Sequence, residues 1–422
     1  MKYKLEEVKK QAEYCLNCKT KPCRSGCPLQ NNIPDFIKCI KEENYAEAFK
    51  VLVDTTIFEP ICGRICPQKS QCEGNCVRGI KGDSVHIGEL ESFVGDYALE
   101  NIELPIIEAK EDSKKIAIIG SGPSGLACSY YLSSRGFKVS IYEKHSKLGG
   151  LLRYGIPEFR LKKEILDKWL EKYILNKNVK VFTNVELGKD ILLENLKKDY
   201  DAVVLAFGAN ISNKMNIEGE DKEFVLGGNE LLEYRNMPNF KNKKVAIIGG
   251  GNVAMDTSRT IKKLGAKEVY VVYRRAEKQM PAERKEIEDA KKEGIKFLFQ
   301  TNIIKIIGAD AHGCPNAQIE CVKTELIKKE GETREYPVNI EGSNFFMDVD
   351  FMILAIGSST NKNVINKLGL ETSKWGYIKV DESYKTSDEK IYAVGDLIGT
   401  KQTVAWAARN GFECAKSIEK YL

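Results

Sequence analysis

The chain has 422 residues, 42% hydrophobic and 30% charged, with a net charge of +5. This is the balance of a globular chain with room for two to four domains at roughly 100–200 residues each. No apolar run reaches the roughly 18 residues of a membrane span, the opening MKYKLEEVKK lacks the apolar segment of a secretory signal, and +5 is too small to point to nucleic acid. A cytoplasmic protein with no membrane or nucleic-acid partner is expected.

Nine of the thirteen cysteines fall at positions 15–76. A disulfide framework suits a short secreted chain, so this corner of a long one reads as metal-binding. The first set is Cys15-x2-Cys18-x4-Cys23-x3-Cys27-Pro28 and the second is Cys62-x3-Cys66-Pro67-x4-Cys72-x3-Cys76. Closely spaced thiolates on short loops, with proline straight after the last cysteine of a run, are an iron–sulfur habit. Structural zinc favours paired C-x2-C knuckles, and only one is present. The two sets offer eight cysteines, the number two [4Fe–4S] clusters take, although the last cysteine of a run can serve the other cluster. The isolated Cys39, Cys128, Cys314, Cys321 and Cys414 are expected to be unliganded.

From Lys114 the texture changes to apolar strand, glycine turn, helix and second apolar strand, and it returns about 129 residues later. In the first copy Gly120, Gly122 and Gly125, with Pro123 and Ser124 between them, form a dinucleotide fingerprint. Its glycines allow the tight turn, the approach of pyrophosphate and the packing of helix on strand, and Glu143 ends the second strand where a ribose would lie. The second copy has Gly249, Gly251, Asn252, Val253 and Ala254, but Arg274 and Arg275 replace the acid. An acid there favours a 2′-hydroxyl, whereas arginines pair with a 2′-phosphate, so NADPH is expected over NADH. Residues 241–296 hold 15 basic against 8 acidic residues, some of which a solvated helix face accounts for. Each copy is followed by a buried strand ending in Ala-x-Gly, at 202–210 and 351–359, and the C-terminal Ala393-Val394-Gly395-Asp396 is a strand and turn that can present Asp396 to a flavin ribitol, with a helix beginning near Thr403. The two nucleotide sites together point to FAD plus NADPH.

The expected fold class is α/β: a helical iron–sulfur module at 1–111, a discontinuous FAD-binding domain at 112–219 and 346–422, and a nested NADPH-binding domain at 220–345, both Rossmann-like. The lysine-rich stretch 323–334 reads as exposed hairpin or loop.

These motifs together (CLNCKTKPCRSGCP, ICGRICPQKSQCEGNC, GGLLRYGIPEFRL, GGGNVAMD with VVYRRAEKQMPA, and AVGD) resemble the NADPH-oxidising small subunit of glutamate synthase. The chain is also similar to the large subunit of bifurcating NADH-dependent ferredoxin:NADP reductase and to the electron-input half of dihydropyrimidine dehydrogenase. The resemblance implies two interleaved [4Fe–4S] clusters, one on Cys15, Cys18, Cys23 and Cys76, the other on Cys27, Cys66, Cys72 and Glu91. Cys62 would then be no ligand, against the count of eight; Glu89 is the nearby competitor of Glu91. FAD contacts are implied at 120–125, Glu143, Gly150, Leu151, Arg160 and from Gly395 and Asp396 to Thr403 and Val404. NADPH contacts are implied at 251–254, Arg274, Arg275 and Gly357, with Arg284 less firmly placed.

Hydride transfer needs orientation rather than an acid or base, and no catalytic nucleophile is expected. No C-x2-C lies beside the second nucleotide domain, against a dithiol mechanism, and His86, His145 and His312 show no metal or catalytic pattern. With no further substrate domain in view, the expected function is electron input to a partner subunit or ferredoxin-like carrier in a hetero-oligomer. A redox-sensing nucleotide-binding adaptor is the alternative outside enzymes, separable by NADPH-driven dye reduction.

Overall fold

In the computed structural model, which describes residues 5–233, 237–308, 317–328, 331–332 and 335–422, contacts divide the chain into two units. The first is Met1–Ala209 with Thr360–Leu422 and the second is Asn210–Ser359. His312 and Cys314 lie outside the described residues.

The cysteine module at the start of the first unit is helical, as its short amphipathic runs predict. Helices Ile33–Lys41, Tyr45–Val53, Glu59–Ile65 and Ile87–Asn101 bury Phe36, Phe49, Ile61 and Leu90. Between the last two helices, three short 3-10 turns carry the chain through Cys72 and Cys76. The rest of the unit is built on a five-stranded parallel sheet in the order Ile391–Ala393, Ala202–Leu205, Lys115–Ile119, Lys138–Glu143, Val179–Thr183. Beyond the exposed Lys115 its central strands are apolar and buried, as a parallel sheet covered on both faces requires. The module packs on this layer through Phe58, whose ring lies 4.7 Å from Trp169 and 6.4 Å from Phe412. Such pairs contribute about 0.5–1.5 kcal/mol each beyond the area they bury. The Trp169 indole also donates to the Ile57 carbonyl at 2.6 Å.

The second unit repeats the plan. Its parallel sheet runs Val225–Gly227, Phe351–Leu354, Lys244–Ile248, Glu268–Tyr273, Lys296–Phe299. An antiparallel sheet is added in which Ala317–Lys328 pairs with Thr301–Ile307, Glu335–Asn339 and Phe345–Val349. Residues 323–328 of the lysine-rich stretch are therefore strand, with 329–330 and 333–334 outside the described residues.

The domain boundaries expected from the sequence shift. Phe351–Leu354 joins the second sheet, between Val225–Gly227 and Lys244–Ile248, so 346–359 belong to the second unit, as do 210–219. A short strand that is apolar on both faces can enter either parallel sheet, and only the pairing decides. The chain completes the second sheet before returning to the first at Ile391.

The helix Pro123–Ser134 packs against the C-terminal helix Val404–Tyr421 at a contact that leaves no room for a side chain. A Cβ on Gly411 would sit 2.1 Å from the Ser124 carbonyl oxygen. Gly411→Ala is expected to lower stability by about 1–3 kcal/mol, because backbone has to move to admit the methyl group. Thermal unfolding of the variant beside the parent checks this, and an unchanged midpoint would mean the helices separate freely.

Candidate functional site

The first nucleotide turn follows strand Lys115–Ile119. Gly120 has φ +102°, and a Cβ there would meet the Ala206 carbonyl oxygen at 2.7 Å; a Cβ on Gly125 would lie 2.1 Å from the Gly120 oxygen. Glycine is thus required for the turn and for seating the helix. Gly122 is the N-cap of Pro123–Ser134 and supplies no side-chain cap, so the helix N-terminus presents free N–H groups suited to an anion. Gly150 closes on the same place, where a Cβ would come within 2.6 Å of the Gly122 Cα, and Leu151 beside it is exposed. Glu143 is buried and fixed by the turn itself. Its carboxylate accepts from Ser121 N at 3.0 Å, Ser121 Oγ at 2.6 Å and His145 N at 2.9 Å. Ser121 Oγ also accepts from Gly149 N at 3.0 Å, tying the two loops together.

Asp396 follows Gly395 in a short 3-10 turn. Its Oδ1 is shut off from solvent with no hydrogen-bond partner, and burial pushes the carboxyl up to about 7. A buried acceptor without a donor is costly, and a ligand hydroxyl would relieve it, so this residue fits the ribitol role expected of it. Thr403 and Val404 start the C-terminal helix, but the Thr403 hydroxyl is occupied in capping Trp406 N at 3.3 Å. Its side chain thus caps the helix through one lone pair and keeps its own O–H to donate. Arg160 is half-buried, its N–H donating to the Pro157 carbonyl at 3.0 Å.

In the second unit Gly249 has φ +139°, and a Cβ there would lie 2.2 Å from the Ala355 oxygen. Gly251 caps Asn252–Lys263 with open space where its Cβ would be, and Val253 and Ala254 enter the helix. The Asn252 amide oxygen is turned to Glu283 N at 2.9 Å, a contact within the protein. Arg274 is exposed and forms no ion pair among the described residues, and Arg275 Nε is buried without a hydrogen-bond partner. Arg259 is structural, buried against Glu286 and 2.9 Å from Glu293. Arg284 pairs with Glu277 at 3.2 Å. Gly357 is exposed, with φ +116°.

Cys15, Cys18, Cys23 and Cys76, the set implied for the first cluster, line one small cavity, partly open to solvent. Ile33, Ile37, Val85 and Ile87 form its apolar wall. Among the described residues no three Cys, His, Asp or Glu side chains gather closely enough to hold a single metal ion; the four sulfurs instead surround a space.

Cys27, Cys62, Cys66, Cys72 and Glu91 make a second group, with Cys62 inside helix Glu59–Ile65, Cys66 at its C-terminal cap and Glu91 inside helix Ile87–Asn101. Burial pushes the Cys27 thiol up to about 12, and the charges of Glu91 and Cys66 add to the effect. Cys72 is raised by burial and by the same neighbours. Cys62 is raised first by a hydrogen bond with Cys66 and then by burial. Glu91 is buried, pushed up to about 8 by burial against the opposing hydrogen bond from Asn31 Nδ2 at 3.1 Å. So many acidic donors, buried or half-buried side by side, fit a cationic iron core that would replace their protons. Glu89 is exposed beside His86. Among the isolated cysteines, Cys128, Cys321 and Cys414 are buried and Cys39 half-buried, all free thiols.

Sequence reasoning did not find Asn31, which orients Glu91 and accepts from Thr55 Oγ1 at 2.8 Å, nor Ser121. Arg409 was missed as well: from the C-terminal helix it donates to the carbonyl of Pro28, next to Cys27, at 3.0 Å. No motif marks any of the three. His145 stacks on Tyr154 at 4.1 Å.

Comparison with known proteins agrees with this geometry. Residues 114–411 match the family pyridine nucleotide-disulphide oxidoreductase, and 1–103 match dihydropyrimidine dehydrogenase domain II, 4Fe-4S cluster. The glutamate synthase [NADPH] small chain of Escherichia coli is 33% identical over 99% of this chain and 92% of its own length. The NADP(+)-dependent formate dehydrogenase subunit beta of Moorella thermoacetica is also 33% identical, over 96% of this chain and 60% of its own. FprA of Mycobacterium tuberculosis, solved with NADPH, shares the fold at 19% identity, with a TM-score of 0.62 over 73% of this chain and 84% of that one. No helix among the described residues is long and apolar enough to cross a membrane. The chain belongs to the pyridine nucleotide-disulphide oxidoreductase family, as an NAD(P)H-dependent flavin and iron–sulfur oxidoreductase subunit of the kind represented by the glutamate synthase small chains.

Proposed function

We propose that the chain is the electron-input subunit of a hetero-oligomer of glutamate synthase type, oxidising NADPH and delivering electrons singly to a partner subunit. The observation that carries this reading is the gathering of Cys15, Cys18, Cys23 and Cys76 around one cavity in the same unit as the first nucleotide turn. Flavin, when bound, exchanges two-electron hydride chemistry for one-electron transfer, which is what joins NADPH to iron–sulfur clusters.

The protein's part is holding and orienting. The turn at 120–125 and the N-terminus of Pro123–Ser134 would hold the FAD pyrophosphate, with Glu143 at the ribose and Asp396 accepting from the ribitol. Arg274 and Arg275 would take the 2′-phosphate of NADPH, and the turn at 249–254 its pyrophosphate. Cys15, Cys18, Cys23 and Cys76 would bind one [4Fe–4S] cluster, and Cys27, Cys66, Cys72 and Glu91 the other. The Arg409–Pro28 hydrogen bond ties the helix beginning beside the flavin site to the loop carrying Cys27, which keeps the two fixed with respect to each other. The twelve described cysteines are all free, in keeping with a cytoplasmic location.

The protein purified without oxygen is expected to contain one FAD and about eight irons with eight acid-labile sulfides, four of each per cluster, and NADPH should bleach its flavin band. Zinc in place of iron would sink the cluster assignment. A flavin that NADPH does not reduce would leave only the adaptor reading.

A further inference from the structure

The turn that follows Cys27 is tightly wound. Gln30 takes a left-handed φ of +57°, and both its backbone N–H, at 3.0 Å, and its side-chain amide, at 2.9 Å, donate to the Cys27 carbonyl. Winding the chain in this way returns Asn31 to the cysteine. Burial raises the Cys27 thiol and the charge of Glu91 adds to it; the largest opposing effect is a hydrogen bond from the Asn31 backbone N–H, which favours the thiolate.

The side chain of the same residue reaches a second ligand of the proposed set. Asn31 is 1% exposed; its Nδ2 donates to Glu91 Oε1 at 3.1 Å, and its Oδ1 accepts from Thr55 Oγ1 at 2.8 Å. These two partners fix the amide. A hydroxyl donor on one side and an ionised carboxylate, which can only accept, on the other leave one orientation for its oxygen and nitrogen. An asparagine that merely closed its own turn would bond to backbone a few residues away. Asn31 instead joins side chains 24 and 60 residues distant. Hydrogen bonds to ligand atoms stabilise the more negative, reduced state of a cluster and so raise its potential, and groups that orient ligands shape metal sites as strongly as the ligands do.

We infer that Asn31 is a positioning residue for the second cluster: it meets Cys27 through its backbone and Glu91 through its side chain, and thereby sets that cluster's reduction potential. Thr55 supports it by locking the amide with the N–H groups toward Glu91. This rests on the assignment of Glu91 as a ligand and adds the group that holds its carboxylate charged in a buried place.

The test is a reductive titration of the complete holoprotein, purified without oxygen and followed by low-temperature EPR. Asn31→Leu keeps the size of the side chain and removes both amide contacts. The one-electron reduction constant of one cluster is expected to fall about tenfold, the loss of one hydrogen bond to a charged group, which moves its midpoint down by about 59 mV. Its signal should also change shape, while the signal of the other cluster stays as in the parent and serves as the reference. Thr55→Val leaves Asn31 in place but unlocks its amide, and should shift the same signal in the same direction by less. If Asn31→Leu loses a cluster or fails to fold, Thr55→Val decides: a downward shift of one signal supports the inference, and parent-like potentials overturn it. Equal shifts of both clusters also overturn it, since they would report a general loosening. Glu91→Ala, run beside these variants, separates the inference from the ligand assignment beneath it. If Glu91→Ala keeps both clusters with unchanged signals, the ligand assignment falls. If it loses one cluster while Asn31→Leu and Thr55→Val titrate like the parent, the role of Asn31 alone falls.

Discussion

Glu91→Ala is expected to remove one iron–sulfur cluster while leaving FAD and the other cluster in place. Iron should drop from about eight to about four per chain, four being the content of one cluster, and one of the two reduced-state EPR signals should vanish. Glu91 is not a solvated helix residue. It is 6% exposed, among Cys27, Cys66 and Cys72, with its carboxylate held by Asn31. Leaving it there as a bare carboxylate would be costly, and burial already favours its proton. Coordination to iron would remove that penalty. The competing ligand is Cys62, also buried and hydrogen-bonded to Cys66. Cys62→Ala therefore belongs in the same experiment. Retention of both clusters there, with loss of one in Glu91→Ala, assigns the carboxylate; the reverse pattern assigns the thiol. Glu91→Gln keeps the shape and one oxygen donor. It should retain the iron with an altered EPR signal and potential, which a purely structural role for the carboxylate would not produce.

Much of this was readable before any coordinates. The two parallel sheets follow from apolar strands flanking Gly120 and Gly249, because those glycines leave few alternatives for the chain between strand and helix. What pattern could not settle was which sheet takes a given apolar strand. Phe351–Leu354 carries no mark of its neighbour, and it lies between Val225–Gly227 and Lys244–Ile248 rather than in the first sheet. At the site, cysteines announce themselves by rarity and spacing, whereas carboxylates and amides do not. Glu91 could be named only through resemblance to a family, and Asn31, which holds it, had no signal at all. Thr403 shows how one position can carry two readings: its place suggests a ligand contact, and its hydroxyl also accepts from Trp406 N as a helix cap. Short polar side chains at helix starts serve as caps so often that a binding role needs an observation beyond position.

Arg274→Ala with Arg275→Ala should weaken NADPH far more than NADH. A charge-assisted hydrogen bond to phosphate contributes about 1.5–3 kcal/mol, so the NADPH dissociation constant should rise roughly ten- to a hundredfold or more. NADH, lacking the 2′-phosphate, should change little. The structure sharpens this expectation by showing which cations are already occupied. Arg259 is buried among Glu286, Asp289 and Glu293, and Arg284 faces Glu277. Removing either would disturb folding or a surface pair rather than read the nucleotide. Arg274 and Arg275 follow strand Glu268–Tyr273, where the first unit has Glu143, and their backbone carbonyls are anchored by Thr324 and Gln300. The backbone at this position is thus fixed, while Arg274 reaches solvent and Arg275 Nε lacks a partner. An anion that met both would find preorganised donors and would displace no internal ion pair. Stopped-flow reduction of the flavin by each nucleotide measures the effect. Equal losses for NADPH and NADH would mean that the arginines only support the strand end, and phosphate selection would then have to lie elsewhere in the second unit.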